Sequence, residues 1–138
     1  MNRIITIILI FLSLNATTQN LDAVWNVWND KAQADTSRLL AIYRIAWDGY
    51  LFSQPDSAFY FAELMYDFAE SVNNKQGIVS ALKIQGISFA IRGNTDKAII
   101  YHKKSLEICK EIADKTGISD VLNSIGVTYK EQSNYVKA

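Results

Sequence analysis

The chain of 138 residues contains few of the residues that interrupt helices or bind metals: one proline, six glycines, one cysteine and one histidine. Since Cys109 is alone, an internal disulfide and a metal site built from several thiolates are both excluded. The scarcity of proline and glycine allows long helices. Acidic and basic residues number 14 each, without the lysine and arginine excess typical of nucleic-acid binding. We therefore expect no nucleic-acid partner for this region.

The first 19 residues differ in composition from the rest of the chain. Arg3 supplies a positive charge, an apolar run follows over residues 4–14, and the small and polar stretch NATTQ comes next. The run is shorter than the roughly 20 apolar residues that span a membrane. This order predicts a secretory signal peptide over residues 1–19 and an exported, periplasmic or otherwise extracytoplasmic, mature chain. The alternative is an N-terminal strand or buried helix.

A pattern of residues recurs after 40 positions in the second half of the chain. Eight residues of the stretch 75–98 are identical to those 40 positions later: Lys75, Gly77, Ile78, Leu82, Gly86, Asn94, Lys97 and Ala98. A weaker copy precedes them. We divide the chain into repeats at 38–77, 78–117 and an incomplete 118–138. A fixed period of this kind is typical of stacked structural repeats.

Each repeat has the pattern of two helices joined by a turn. In the second repeat, Gly93 predicts the end of the first helix and Asn94 the N-cap of the second. Gly117 predicts the end of that second helix. In the first repeat, Pro55 is expected at the first position of the second helix, where its missing N–H costs little. The first helix of that repeat is expected over roughly residues 36–51.

Small residues recur at one register of these helices. Ala46, Gly86 and Gly126 occupy corresponding positions of successive repeats, and Ala58 and Ala98 follow the first two at a matching interval. A glycine inside a helix costs about 1 kcal/mol relative to alanine. Its recurrence at this register therefore predicts close packing between paired helices.

The residues before the first repeat have a helical pattern of their own. Leu21, Val24, Trp25 and Trp28 recur at the spacing of one helix face. They predict an amphipathic helix over 21–32, within an N-terminal capping helix and linker at 20–37. Such a helix would cover the open end of the stack, because a terminal repeat otherwise exposes its apolar face.

The last residue, Ala138, corresponds to Ala98, which lies near the start of the second helix of its repeat. The pattern thus predicts a helix over 118–132, a turn, and the first turn of another helix. So short a helical piece is unstable alone. We therefore expect this sequence to be the N-terminal part of a longer protein.

The order Leu82, Gly86, Phe89, Gly93, Ala98 and Tyr101 resembles the tetratricopeptide repeat (TPR). The stretch VLNSIGVTYKEQSNYVKA resembles it more closely, and the resemblance covers residues 38–138. The period of 40 exceeds the common one of about 34, as in the extended variant of the family. The resemblance implies an all-α fold, a right-handed α-α superhelix or solenoid of antiparallel helix pairs.

The resemblance also implies a function and a binding surface. It suggests a protein-binding or peptide-binding scaffold, in the manner of the extracytoplasmic repeat regions of bacterial signalling proteins. The alternatives are the sensor region of a histidine kinase or an adenylate or guanylate cyclase, with the catalytic domain beyond residue 138, and a freestanding secreted scaffold. Membrane contact is expected only through the signal peptide or a downstream segment, and self-association is a further option.

In such arrays the first helix of each pair lines the concave, partner-binding face. By register, the candidate residues are Tyr43, Trp47, Tyr50, Lys83, Ile87, Asn123, Val127 and Lys130. Aromatic residues suit a binding hot spot, and the amide and ammonium groups can donate hydrogen bonds to a peptide. The alternatives are that the aromatic residues form core against the capping helix, and that Lys83 and Asn123 are simply solvent-exposed.

Catalytic chemistry finds little support in this sequence. His102 is the only histidine, and its helical neighbours Ala98, Ile99, Leu106 and Cys109 are not an acid–base set. We expect it to be a partly buried helix residue. Cys109 matches the register of a small core residue, and free cysteines often pack as small hydrophobes. The sequence therefore predicts no enzyme activity within this chain, and no cofactor or metal.

Overall fold

The computed structural model describes residues 20–137, with side chains to residue 133, so the predicted signal peptide lies outside the described residues. The helices of this part are α1 at 20–29, α2 at Asp35–Arg44, α3 at Pro55–Ser71, α4 at Lys75–Ile91, α5 at Thr95–Glu111 and α6 at Lys115–Lys137. Between residues 20 and 137 there is no strand. The all-α class is therefore confirmed for that range.

The helix expected over residues 36–51 changes its character part of the way along. α2 ends at Arg44, and the backbone continues directly into a π-helical segment, Ile45–Tyr50. A π-helical turn is rare and is found mostly as a local widening within a longer helix. The helical backbone was predicted, but this widening was not. Pro55 stands at the first position of α3, as expected.

The turns that end α3, α4 and α5 share one construction and recur at a regular spacing along the chain. Each contains one residue with a positive φ, and these residues are Asn73, Gly93 and Ala113. The N–H of the next residue donates to the carbonyl five residues back, as Asn94 does to Phe89 at 2.9 Å. This is the Schellman motif, which satisfies the free carbonyls of a helix end. The predicted stop at Gly93 is confirmed.

The residue after each positive φ caps the following helix. The predicted Asn94 cap is confirmed, since its side-chain oxygen accepts from the Lys97 N–H at 3.1 Å. The role predicted for Gly117 is wrong. Its N–H donates to Asp114, the cap of α6, and the turn uses Ala113 instead. Helices α4 and α6 also begin three residues before the repeat boundaries at 78 and 118.

Helices α3 to α6 pack in chain order, each antiparallel to the next. Arg92, just past the end of α4, forms an ion pair with Asp56 at the start of α3. Lys75 at the start of α4 pairs with Glu111 at the end of α5. Helix α4 also contacts α2 and α6. The short turns impose this arrangement, because three residues suffice only to reverse the chain.

The small residues of the repeat register allow close packing where a second helix is present. Ala46, Ala58 and Ala98 are fully buried. At Gly86, an added Cβ would lie 2.6 Å from Nδ1 of His102, so α5 approaches α4 through the missing side chain. At Gly126, an added Cβ would meet no described heavy atom within 4 Å. The space beside this register is therefore filled by the His102 ring in the second repeat and is open in the third.

Helix α1 lies against α2 and α3 through aromatic contacts. Trp25 meets Phe61 edge-on at 5.3 Å between ring centroids, and Trp28 meets Phe68 at 5.4 Å. The Arg38 guanidinium lies 4.3 Å from the Phe68 ring and donates to the Trp28 carbonyl at 3.1 Å. The helix ends at residue 29, earlier than the expected 32, because Asp30 begins a turn.

Helix α6 is longer than the repeat pattern predicts. It runs through Lys115–Lys137, across the position where a turn was expected after residue 132. Ser133 occupies the register of Gly93, whose φ of 74° favours glycine. Within the described chain, no following helix packs on α6 to select the turn. The predicted interruption is therefore wrong for this structure.

Candidate partner-binding surface

The three aromatic candidates lie around the π-helical segment. Tyr43 stacks on Trp47 with 5.8 Å between ring centroids. Trp47 meets Phe52 edge-on at 6.2 Å, and Phe52 is 74% exposed. Tyr50 turns inward and packs on Phe61 at 4.9 Å. Tyr43, Trp47 and Phe52 therefore form a small aromatic surface, and Tyr50 belongs more to the packing beneath it.

Phe52 was missed by the sequence analysis. It lies in the turn between the π-helical segment and α3. One feature of the sequence could have indicated it: Phe52 is an aromatic residue that does not continue the apolar stripe of the helix before it or of α3 after it. Because so large an apolar side chain is usually buried, its exposure beside Trp47 marks the surface as unusual.

Trp47 is half-buried, but not against α1. It packs on a cluster made of Ala46, Leu51, Ala58, Ala62 and Ile84. Tyr43 and Tyr50 also border the separate cluster that contains Val24 of α1. The alternative of core packing against the capping helix therefore describes Tyr43 and Tyr50 better than Trp47.

The candidates on α4 adjoin the aromatic surface on one side and α6 on the other. Ile87 packs on the same cluster as Trp47. Lys83 is half-buried, and its Nζ lies 3.8 Å from Oδ2 of Asp120 on α6. The pair is mostly exposed on the Asp120 side, so it contributes at most about 1 kcal/mol. Its main effect is to orient the lysine toward α6.

The candidates on α6 are solvent-exposed. Asn123, Val127 and Lys130 stand at the spacing of one helix face, and Val127 is 46% exposed. Asn123 and Lys130 have donor groups suited to hydrogen bonds with a ligand. The structure thus brings Tyr43, Trp47 and Ile87 together around one cluster and joins Lys83 to α6.

Electrostatics at the aromatic surface favour neutral tyrosine. Burial, and then the nearby Asp48 carboxylate, raises the pKa of the Tyr43 phenol. Asp48 itself pairs with Arg44 at 3.3 Å, on the exposed side of the helix. Tyr43 therefore offers a hydrogen-bond donor and a ring face at neutral pH, and no negative charge.

His102 is more deeply buried than the sequence indicated. It is fully buried, and neither ring nitrogen has a hydrogen-bond partner among the residues with described side chains. Burial, with a smaller effect of the Lys83 ammonium, lowers the pKa of the imidazole to about 4. The ring is therefore neutral at physiological pH and packs as a core residue over Gly86.

Cys109 is likewise buried and is a free thiol. Burial, followed by the charge of Asp114, raises the pKa of this thiol, so the protonated form predominates at neutral pH. Across the part of the chain that the structure describes, no group of three or more histidine, cysteine, aspartate and glutamate residues is placed to hold a metal ion. Both buried groups are therefore uncharged at neutral pH.

Two comparisons bear on the identity of the chain. No model of a known protein family matches it, and no curated protein matches it significantly. None of the helices between residues 20 and 137 is long and apolar enough to cross a membrane.

Proposed function

We propose that this chain is a TPR-like helical-repeat scaffold that binds a protein or peptide partner and performs no chemistry itself. The helix pairs form a right-handed solenoid in this proposal. The binding face is built from the first helix of each pair, namely α2 with its π-helical extension, α4 and α6. Partner contacts come from the aromatic surface of Tyr43, Trp47 and Phe52.

The observation that carries the proposal is the exposure of Phe52 against Trp47. A side chain of this size loses about 1.5–3 kcal/mol by remaining in water instead of being buried. The Phe52 ring lies against Trp47, which in turn stacks on Tyr43. Aromatic residues on a firmly packed base lose little conformational entropy when a partner covers them, which is why they dominate binding hot spots.

The regular turns support the repeat interpretation. Turns of one construction recur at an even spacing, at Asn73, Gly93 and Ala113, and they give helices of similar length. Units that each pack mainly on their neighbours can be added one after another, which is the principle of a solenoid. The proposal also includes export of the scaffold and its membership of a longer signalling protein. These two parts rest on the signal peptide predicted from the sequence of residues 1–19 and on the resemblance to the repeat family.

Peptide selection against the full chain tests the proposed face. Peptides recovered from a random display library would be measured by titration with the wild-type chain and with Trp47→Ala and Phe52→Ala. We expect each substitution to weaken binding about 30-fold, as for a hot-spot residue. The control is Ile100→Ala, which truncates an apolar side chain on α5 that is 52% exposed. Unchanged affinity in both aromatic variants, or equal loss in the control, would refute this face.

A further inference from the structure

A separate groove lies between α3 and α5, with α4 as its floor. Its volume is about 730 Å³. The residues that line its walls extend over Tyr60–Asp67 on α3 and over Tyr101–Ile108 on α5. Each wall covers seven residue steps, or about 10 Å of helix axis. None of the residues predicted for partner binding lines this groove.

The inner surface of the groove is apolar with one polar exception. Leu64, Leu82 and Ile108 contribute aliphatic surface, and Leu82 is only 4% exposed. Gln85 also lines the floor and is 4% exposed, and its Oε1 has no hydrogen-bond partner among the described side chains and backbone. A buried acceptor without a donor costs about 1–3 kcal/mol.

The rim of the groove is acidic. Glu63 and Asp67 on α3 face Glu107 on α5, and Lys104 is the one cation among the lining residues. Glu107 is partly neutralised by Lys110, whose Nζ lies 3.2 Å from its Oε1. With Lys104 also counted, the carboxylates of α3 leave one net negative charge along the groove, which favours a ligand that carries positive charge.

Tyrosines complete the walls. Tyr60, Tyr66 and Tyr101 line the groove, and Tyr60 is 55% exposed. The ammonium of Lys104 already lies 5.4 Å from the centroid of the Tyr101 ring. Phe89 also stacks on Tyr101 at 5.4 Å, so a ligand cation in the groove would meet the rings of Tyr60 and Tyr66 instead, since tyrosine faces attract cations at such distances.

We propose that the α3–α5 groove binds an amphipathic helix of a partner protein that carries lysine or arginine beside its apolar face. The length of the walls accommodates about two helical turns. The apolar side chains of the partner cover Leu64, Leu82 and Ile108. A basic side chain passes between the tyrosines and neutralises the carboxylates of Glu63 and Asp67.

The first test measures whether charge selects the ligand. Two fluorescently labelled amphipathic peptides, one of leucine and lysine and one of leucine and glutamate, would be titrated with the full chain by anisotropy. We expect the lysine peptide to bind at least tenfold more tightly and to weaken as salt is added. Equal binding of both peptides, or no binding of either, overturns the proposal.

The second test places the peptide in the groove. The double variant Glu63→Lys/Asp67→Lys should lose at least tenfold in affinity for the lysine peptide. The matched control, Asp22→Lys/Glu131→Lys, makes the same change in net charge on α1 and α6 and should bind like the wild type.

Further outcomes separate this site from the aromatic surface. Trp47→Ala should leave binding of the lysine peptide unchanged, since Trp47 does not line the groove. Loss of affinity in Trp47→Ala, or equal loss in both double variants, would overturn the proposal even where the peptide binds. Because both double variants change exposed residues only, their folding can be verified by circular dichroism before titration.

Discussion

Substituting Gly86 by alanine should destabilise the chain, whereas the same substitution at Gly126 should stabilise it. Both glycines lie inside helices, at the same register of successive repeats. In each, alanine removes backbone freedom from the unfolded chain and improves helix propensity by about 1 kcal/mol. Because this gain is common to both, the difference between the two variants measures what the new methyl group contacts.

The contact at Gly86 is severe. The added Cβ would lie 2.5 Å from Cε1 of His102 and 2.6 Å from its Nδ1, well inside ordinary contact distance. His102 is fully buried, so the ring can move away only by displacing its own neighbours. Overpacking of this kind costs about 1–3 kcal/mol. At the upper end of that range, Gly86→Ala should lower the free energy of unfolding by about 2 kcal/mol.

Urea denaturation followed by circular dichroism would measure both variants, and Gly126→Ala should gain about 1 kcal/mol. The double variant Gly86→Ala/His102→Ala should show favourable coupling of at least about 1 kcal/mol, because removing the ring makes room for the methyl group. Equal stabilisation by Gly86→Ala and Gly126→Ala would show that α5 does not approach α4 as closely as described.

Three further outcomes follow from the same packing. The His102 imidazole has its pKa lowered to about 4 by burial and by Lys83, so the unfolded chain binds the proton first. The contribution of His102 to the free energy of unfolding should therefore be fully present above about pH 6.5 and should fall by up to roughly 3 kcal/mol toward pH 4. Urea denaturation of His102→Leu across the same pH range should not show this loss. Asn94→Ala should cost about 1 kcal/mol in urea denaturation, since the Lys97 N–H loses its acceptor, and no loss would contradict the capping role. Val121→Ala should lower the melting temperature by the equivalent of about 2 kcal/mol, whereas its neighbour Leu122→Ala should cost under about 1 kcal/mol, because Val121 is fully buried and Leu122 is 51% exposed. Similar losses at the two positions would show that α6 packs through a different face.

The helix ends were predictable wherever a local signal was sufficient. Pro55, Gly93 and Asn94 act through their own backbone and side-chain chemistry, and their predicted roles are confirmed. The prediction at Gly117 failed because Ala113 adopts a positive φ that alanine disfavours by itself. A turn held by the packing of two helices can impose that conformation, which no residue-by-residue signal reveals.

For the candidate surface, the sequence predicted some of the residues that form it but not their arrangement. Helical spacing placed Tyr43 and Trp47 on one face, and the structure stacks them. Helical spacing did not reveal the π-helical segment, the exposed Phe52 or the unpaired oxygen of Gln85. These features depend on how the chain closes around α4, and so on distances between residues far apart in the sequence.

By itself, the sequence determined the all-α class between residues 20 and 137 and most helix starts and stops, because caps, prolines and apolar spacing act within one or two turns. Tertiary structure decided what each face meets. Leu82 and Leu122 are the same residue at the same register, yet they are 4% and 51% exposed. Helix α5 covers α4 there, and no described helix covers that part of α6. How deeply a side chain is buried depends on the elements that pack around it as much as on its own chemistry. Only the tertiary structure could therefore show that Leu82 is buried and Leu122 is exposed.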